Sequence, residues 1–247
     1  MLAKPQKTCI LILGMHRSGT SCLAGSLQQQ GVYLGDVHEW NPHNLKGNRE
    51  NPKIMELNES LFASNHATWD RPSDQAVSWS TSQAQQRDQL IEALSLEAQQ
   101  AWGFKDPRTL INLDFWQDGL RDQYPTKFIG TFRHPLAVAQ SLHKRNGTPL
   151  EEGLALWYAY NKRLVASWER QPFPILSFDV ASDLYSKDFK QACGDLGLKF
   201  SSVEQPFLEN QLRSTESKTS HHDYQIKDSR YLDCYARLQT IYLDWAA

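Results

Sequence analysis

The N-terminal part of the chain contains a pattern of apolar residues, glycines and one cation that strongly restricts the possible folds. An apolar, β-branched run over residues 9–13 ends in Gly14, a short polar loop reaches Gly19, and a helical pattern follows at once. A strand, a glycine-containing loop and a helix in this order surround an anion, because loop N–H groups and the helix N-terminus point to one place. The glycine spacing is that of a Walker A loop, but Thr20 stands where the lysine is expected, and the cation is Arg17. The loop therefore predicts a phosphate-like ligand other than ATP.

A second strand–loop–helix unit begins at residue 127. The apolar run over 127–132 is followed directly by Arg133, and Pro135 suits the first turn of a helix because its missing N–H costs nothing there. Ligands of open α/β sheets collect beyond the carboxyl ends of the strands, so Arg133 is placed to meet one. Ser141 is eight residues further on, about two turns into the helix.

A third unit has the sequence Trp-Gly-Phe-Lys-Asp-Pro-Arg, over residues 102–108. The pattern predicts a short strand that ends at Lys105 and a helix over 107–119 with Asp106 as its N-cap. A lysine at this end of a strand faces the loop of the first unit.

These motifs resemble those of sulfotransferases that use 3′-phosphoadenosine 5′-phosphosulfate (PAPS). The segment His16–Ser21 resembles their 5′-phosphosulfate loop, and the pair Arg133 and Ser141 has the spacing of the residues that hold the 3′-phosphate. Arg145 matches a nucleotide contact in the tyrosylprotein branch, and Lys-Asp-Pro resembles the lysine motif of that branch; Lys-Asp-Pro-Arg is frequent in bacterial sulfotransferase-like sequences. The resemblance implies PAPS as sulfuryl donor, without a metal, held by Arg17, Ser18, Gly19, Thr20, Ser21, Arg133, Ser141 and Arg145.

The resemblance also implies catalytic roles for three residues. Arg17 would hold the 5′-phosphate, and Lys105 would neutralise charge on the transferring group. Glu50 matches the proposed general base of the tyrosylprotein and carbohydrate branches, although it could simply favour the N-terminus of the next helix. His38 and His43 are rival bases, since aryl and alcohol sulfotransferases use histidine.

Composition limits the class of protein. The 247 residues, 40% of them hydrophobic, suit a single sulfotransferase domain over 1–247. A net charge of −2 does not suggest a nucleic-acid binder. No apolar run is long enough for a membrane span and no signal peptide is evident, which predicts a cytoplasmic protein. The four cysteines show no metal spacing, and Cys9 and Cys22 are expected to be buried.

The order of elements predicts an α/β fold, a P-loop-type three-layer sandwich with a central parallel sheet flanked by helices. Strands are expected near 8–13, 32–34, 102–105, 126–132 and 174–178. Helices are expected near 20–30, 52–66, 84–100, 107–119, 135–146, 150–170, 183–195 and 229–245. Two segments are expected to be irregular, a lid over 69–83 and a polar loop over 209–228 whose His221, His222 and Asp223 are expected to be exposed to solvent.

The predicted activity is transfer of a sulfuryl group from PAPS to an acceptor hydroxyl. A carbohydrate acceptor is preferred, with tyrosine, a lipid-linked alcohol or a small-molecule alcohol as alternatives; Trp40, Trp69, Trp79 and Trp157 could supply aromatic platforms. In the family's late strand–helix unit a Tyr-Glu pair is usual, but here Phe178 and Asp179 replace it. A P-loop kinase and a non-catalytic nucleotide-binding protein are the alternative readings.

Overall fold

The computed structural model describes residues 7–40, 47–203, 207 and 224–247. Five parallel strands form one sheet in the order β2-β3-β1-β4-β5. The strands are β1 (Thr8–Leu13), β2 (Val32–Tyr33), β3 (Ala101–Lys105), β4 (Thr126–Phe132) and β5 (Ile175–Ser177). The helices are α1 (Thr20–Gln29), α2 (Pro52–Ser64), α3 (Thr81–Glu97), α4 (Leu113–Leu120), α5 (Pro135–Asn146), α6 (Leu150–Arg170), α7 (Ser182–Asp195) and α8 (Ser229–Ala246).

Residues of β1 alternate between two apolar layers. Leu11 and Leu13 belong to a large cluster that includes residues of α2, α3, α4, α5, α6 and α8, whereas Ile10 and Ile12 pack with α1 and α7. Burial of both faces explains why β1 is a continuous apolar run instead of an alternating one. The predicted α/β sandwich with a central parallel sheet is confirmed.

The register of the sheet determines where the motifs meet. In the middle of the sheet, Ile12 of β1 is paired with Lys105 of β3, and Leu13 is paired with Gly130 of β4. All strands are parallel, so the loop after β1, the end of β3 and the end of β4 lie at one edge. The fold thus brings together three units that begin near residues 9, 102 and 127 of the sequence.

The helix predicted over 107–119 is wrong. A 3-10 turn, Pro107–Leu110, comes first, and α4 begins only at Leu113. Asp106 does cap the turn, because its side chain accepts a hydrogen bond from the N–H of Arg108. Asn112 separates the two pieces: it is buried and donates to Asn58 of α2, so tertiary hydrogen bonding prevails over continuous helix formation here.

Two further boundaries differ from the prediction. Helix α3 begins at Thr81, within the segment predicted as an irregular lid, because Ser80 and Gln83 form a capping box. It ends at Glu97, since Ala98 has an extended backbone. Residues 69–79 contain no helix, although a bridge joins Thr68 to Arg71. Most of the polar loop over 209–228, with His221, His222 and Asp223, lies outside the described residues.

Candidate active site

The loop between β1 and α1 has the geometry of an anion-binding turn. Gly19 is the N-cap of α1 in a left-handed conformation with φ 87°, and no side chain caps the helix. The buried hydroxyl of Ser18 has no hydrogen-bond partner among the described residues. The carbonyl oxygen of Ser18 accepts a hydrogen bond of 3.0 Å from Thr131 of β4, which fixes the loop against the sheet. An uncapped helix N-terminus and an unpaired buried hydroxyl fit a bound anion.

Replacing Gly19 by alanine is expected to damage this loop. A Cβ at Gly19 would lie 2.2 Å from the ring of Phe178, and the left-handed backbone is unfavourable for alanine. We expect a lower melting temperature, by several degrees, together with weaker binding of 3′-phosphoadenosine 5′-phosphate (PAP) in calorimetry. Gly194→Ala is the matched control, because a Cβ at Gly194 meets no atom within 4 Å. Equal melting temperatures and PAP affinities for Gly19→Ala and the control would contradict this account of the loop.

Arg17 leaves the loop and reaches the helix that follows β4. Its backbone is left-handed with φ 67°, and its Nε donates a hydrogen bond of 2.8 Å to Oγ of Ser141. Burial and the nearby charges of Arg145 and Arg133 lower the pKa of Arg17. Three guanidinium groups are therefore gathered around the loop, where mutual repulsion favours a bound anion.

Arg133 lies directly after β4, as the sequence predicts, and is 6% exposed. Its Nε is 3.5 Å from a carboxylate oxygen of Asp179, and its guanidinium carbon lies 5.9 Å from the ring centroid of Phe178. The indole N–H of Trp157 donates to the carbonyl oxygen of Arg133 at 2.9 Å. Phe178 and Asp179 thus hold Arg133 through its side chain.

Arg145 lies one turn after Ser141 and is half-buried. Its guanidinium carbon is 5.4 Å from the ring centroid of Trp69. Burial lowers the pKa of Arg145; the charge of Glu50 opposes this shift, and that of Arg108 adds to it. Arg145 therefore lies near both Arg17 of the loop and Glu50.

Lys105 and Glu50 form a buried ion pair at the end of β3. The Nζ of Lys105 lies 2.6 Å from Oε1 of Glu50, and the two residues are 3% and 6% exposed. The same ammonium donates to the carbonyl oxygen of Asn48 at 2.9 Å and lies 3.4 Å from Oγ of Ser21. Ser21 is in the first turn of α1, so Lys105 links Glu50 to the anion-binding loop.

The local backbone explains how Glu50 reaches this position. The N–H of His38 donates to the carbonyl oxygen of Glu50, and the N–H of Arg49 donates to that of His38, so these two bonds hold Glu50 beside His38. Asn51, not Glu50, caps α2, because its side chain accepts a hydrogen bond from the N–H of Lys53. His38 is exposed, and His43 lies outside the described residues. Of the predicted bases in the described ranges, only Glu50 contacts Lys105.

His16 is the first residue of the loop motif, but sequence reasoning gave it no role in the site. Its ring packs against those of Trp69 and Tyr160, with centroid distances of 4.8 and 5.9 Å. Its buried Nε2 has no hydrogen-bond partner among the described residues. Burial, followed by the charges of Arg108, Lys105, Arg145 and Arg17, keeps the pKa of His16 well below its usual value. A neutral imidazole therefore lies within the cluster of cations, and no spacing rule could have singled it out.

The other candidate residues are placed as follows. Trp157 is fully buried, Trp69 and Trp79 are partly buried, and Trp40 is 67% exposed. Cys9 is buried as predicted, whereas Cys22 is only half-buried. In the described ranges, no three or more His, Cys, Asp or Glu side chains are grouped as potential metal ligands. None of the described helices is both long and apolar enough to cross a membrane.

Comparisons with known proteins identify the fold. The sulfotransferase domain of the olefin synthase from Synechococcus PCC 7002 superposes with a TM-score of 0.59 and 19% identity, over 97% of this chain and 96% of that domain. Sulfotransferase STF1 from Mycobacterium tuberculosis H37Rv has a TM-score of 0.44 and 16% identity, over 95% of this chain and 77% of that protein. No protein-family model matches the chain. No curated protein sequence matches it either. The chain has the sulfotransferase fold, as its motifs predict.

Proposed function

We propose that this protein is a sulfotransferase that moves a sulfuryl group from PAPS to an acceptor hydroxyl. The observation that supports this most directly is the Lys105–Glu50 pair beside an anion-binding loop, on a fold shared with a sulfotransferase domain. A P-loop kinase would need a lysine at Thr20, and the described structure offers no feature that favours that alternative or a non-catalytic one.

The donor site is proposed from the loop and the three arginines. Arg17 and the loop segment Ser18–Ser21 bind the 5′-phosphate side, and Arg133, Ser141 and Arg145 bind the 3′-phosphate side. The unpaired hydroxyl of Ser18, the uncapped α1 and the clustered guanidinium groups fit an anionic nucleotide. PAPS supplies an activated sulfuryl group; this chain orients it.

The donor, the acceptor and two residues of the chain account for each bond and for the proton in the transfer step. The acceptor oxygen forms a bond to sulfur, the bond from sulfur to the phosphate oxygen breaks, and PAP leaves. Glu50 takes the proton of the acceptor hydroxyl, and Lys105 stabilises the negative charge that develops on the leaving oxygen. Because Lys105 contacts both Glu50 and Ser21 of the loop, one cation connects the base to the donor site.

A carbohydrate is the proposed acceptor. Trp40 is the most exposed of the eight tryptophans and lies two residues after His38, whose N–H donates to Glu50, so an aromatic face is available near the proposed base in the chain. The acceptor is tested by a screen of sugars, tyrosine peptides and simple alcohols with radiolabelled PAPS. Transfer to tyrosine peptides but to no sugar would rule out the carbohydrate assignment. The predicted cytoplasmic location stays a prediction.

The cofactor assignment predicts that PAP binds much more tightly than AMP. A charge-assisted hydrogen bond to a buried phosphate contributes about 1.5–3 kcal/mol, so Arg133→Ala should weaken PAP binding at least about tenfold and leave AMP binding nearly unchanged. Calorimetric titration with PAP, AMP and ATP measures this. Arg121→Ala, at an exposed arginine before β4, is the control. Equal affinities of the wild type for PAP and AMP would refute the assignment.

A further inference from the structure

Arg108 is the last residue of the Lys-Asp-Pro-Arg segment and has no role in the proposed transfer. Its side chain is only 12% exposed. One terminal nitrogen lies 3.0 and 3.2 Å from the two carboxylate oxygens of Asp106, and Nε donates to Oε1 of Glu59. A guanidinium group that binds two carboxylates through different nitrogens is a fixed bridge, because its planar donors have a set geometry.

The two carboxylates belong to the segments that carry the Lys105–Glu50 pair. Asp106 directly follows Lys105 at the end of β3, and Glu59 lies in α2, which begins two residues after Glu50. Arg108 therefore connects the end of β3 to α2 beside the point where Lys105 meets Glu50 at 2.6 Å.

The charge of Arg108 also acts on this pair. Burial opposes the charged form, but the carboxylates of Asp106, Glu50 and Glu59 more than offset it and raise the pKa of Arg108 above its usual value. Arg108 therefore supplies positive charge to these carboxylates in addition to that of Lys105. The groups around Arg108 are Lys105 and Asp106 at the end of β3, Glu50 before α2, Glu59 in α2, His16 in the loop, Arg145 in α5 and Tyr160 in α6.

We propose that Arg108 is a positioning residue for sulfuryl transfer, which bridges Asp106 and Glu59 so that Lys105 and Glu50 stay in register and the carboxylates keep a counter-ion. This inference rests on the proposed function. A small displacement of a catalytic pair slows a reaction strongly even when substrate binding is unchanged.

Helix α2 is also held against the segment after β3 by contacts that do not involve Arg108, so loss of Arg108 should not unfold the protein. Asn58 of α2 donates to Oγ1 of Thr109 at 3.2 Å, and it accepts from the indole N–H of Trp116 at 2.9 Å. These buried hydrogen bonds hold α2 against the 3-10 turn and α4. The effect of Arg108 on stability can therefore be measured separately from its effect on the alignment of Glu50 and Lys105, which is expected to appear in kcat.

The test compares Arg108→Met with Arg108→Lys. Arg108→Met is expected to lower kcat about 10-fold to 100-fold, because it misaligns the pair, with PAP affinity within about twofold of wild type. Arg108→Lys keeps a positive charge opposite Asp106 and Glu59 but not the planar donors, so it should recover part of the lost kcat. Its PAP affinity should also stay within about twofold of wild type.

Two further variants make the outcome decisive. Glu59→Gln removes the more exposed end of the bridge, with a side chain 43% exposed, and should lower kcat several-fold. This variant provides the test if Arg108→Met does not fold. Arg170→Met breaks an exposed pair with Asp114 and is the control. An active wild type, together with a wild-type kcat in folded Arg108→Met or in Glu59→Gln, would overturn the inference alone. A wild type that does not turn over PAPS would overturn the proposed function, and the inference with it.

Discussion

Glu50→Gln is expected to lower kcat by about 10²–10⁴-fold, the usual contribution of a general base, while PAP still binds with near wild-type affinity. The amide keeps the shape of the side chain but cannot take the proton of the acceptor hydroxyl. Glutamine can still accept a hydrogen bond from Lys105, so the donor site should stay intact. Steady-state kinetics with saturating PAPS and acceptor measure the effect, and calorimetry with PAP measures binding.

The matched control for this variant is Glu39→Gln in the same loop. The Glu39 side chain is 71% exposed and pairs with Arg49, so its loss should leave kcat within about twofold, as expected for a surface pair. His38→Asn tests the rival base. Full activity of Glu50→Gln with an inactive His38→Asn would assign proton transfer to the histidine.

Lys105→Met is expected to reduce both stability and turnover. It leaves the Glu50 carboxylate buried without its ammonium partner, which costs about 3–5 kcal/mol when one member of a buried pair is removed. It also removes the cation proposed to stabilise the leaving oxygen, so kcat and kcat/KM should fall together with little change in KM for PAPS. Chemical denaturation and steady-state kinetics measure the two effects separately.

The double variant Lys105→Met/Glu50→Gln separates these effects further. It should recover much of the lost stability, because no unpaired buried charge remains, yet stay inactive. Lys127→Met is the control; Lys127 is the second residue of β4, at the end of the strand remote from Arg133, and donates to the carbonyl oxygen of Asp195. If Lys105→Met loses PAP binding but keeps its kcat, the lysine anchors the ground state and the proposed catalytic role is wrong.

Local patterns were sufficient to predict the sheet and the edge of it at which the three motifs meet. A buried parallel strand is a continuous apolar run, and the polar residue that follows it must lie at the carboxyl edge, which placed Arg17, Lys105 and Arg133 together. The partners of these residues were not predictable. The contact of Arg17 with Ser141 spans 124 positions and that of Lys105 with Glu50 spans 55. Such contacts depend on loop paths and rotamers, which residue spacing does not encode.

The errors have a similar origin. Asp106 and Pro107 correctly indicated the start of a helical turn, but nothing local showed that Asn112 would bond to Asn58 and interrupt the helix. The role we propose for Arg108 also depends on Glu59, which lies 49 positions earlier in the chain. Tertiary hydrogen bonds between distant positions therefore account for both the interrupted helix and the contact of Arg108 with Glu59.

The most direct test of the central claim is sulfuryl transfer itself, measured with purified protein, PAPS radiolabelled on sulfur and a panel of hydroxyl acceptors. The account predicts radiolabel on an acceptor together with stoichiometric release of PAP, and loss of both in Glu50→Gln and Lys105→Met but not in Glu39→Gln. Tight binding and hydrolysis of ATP, with no binding of PAP and no labelled acceptor, would contradict it.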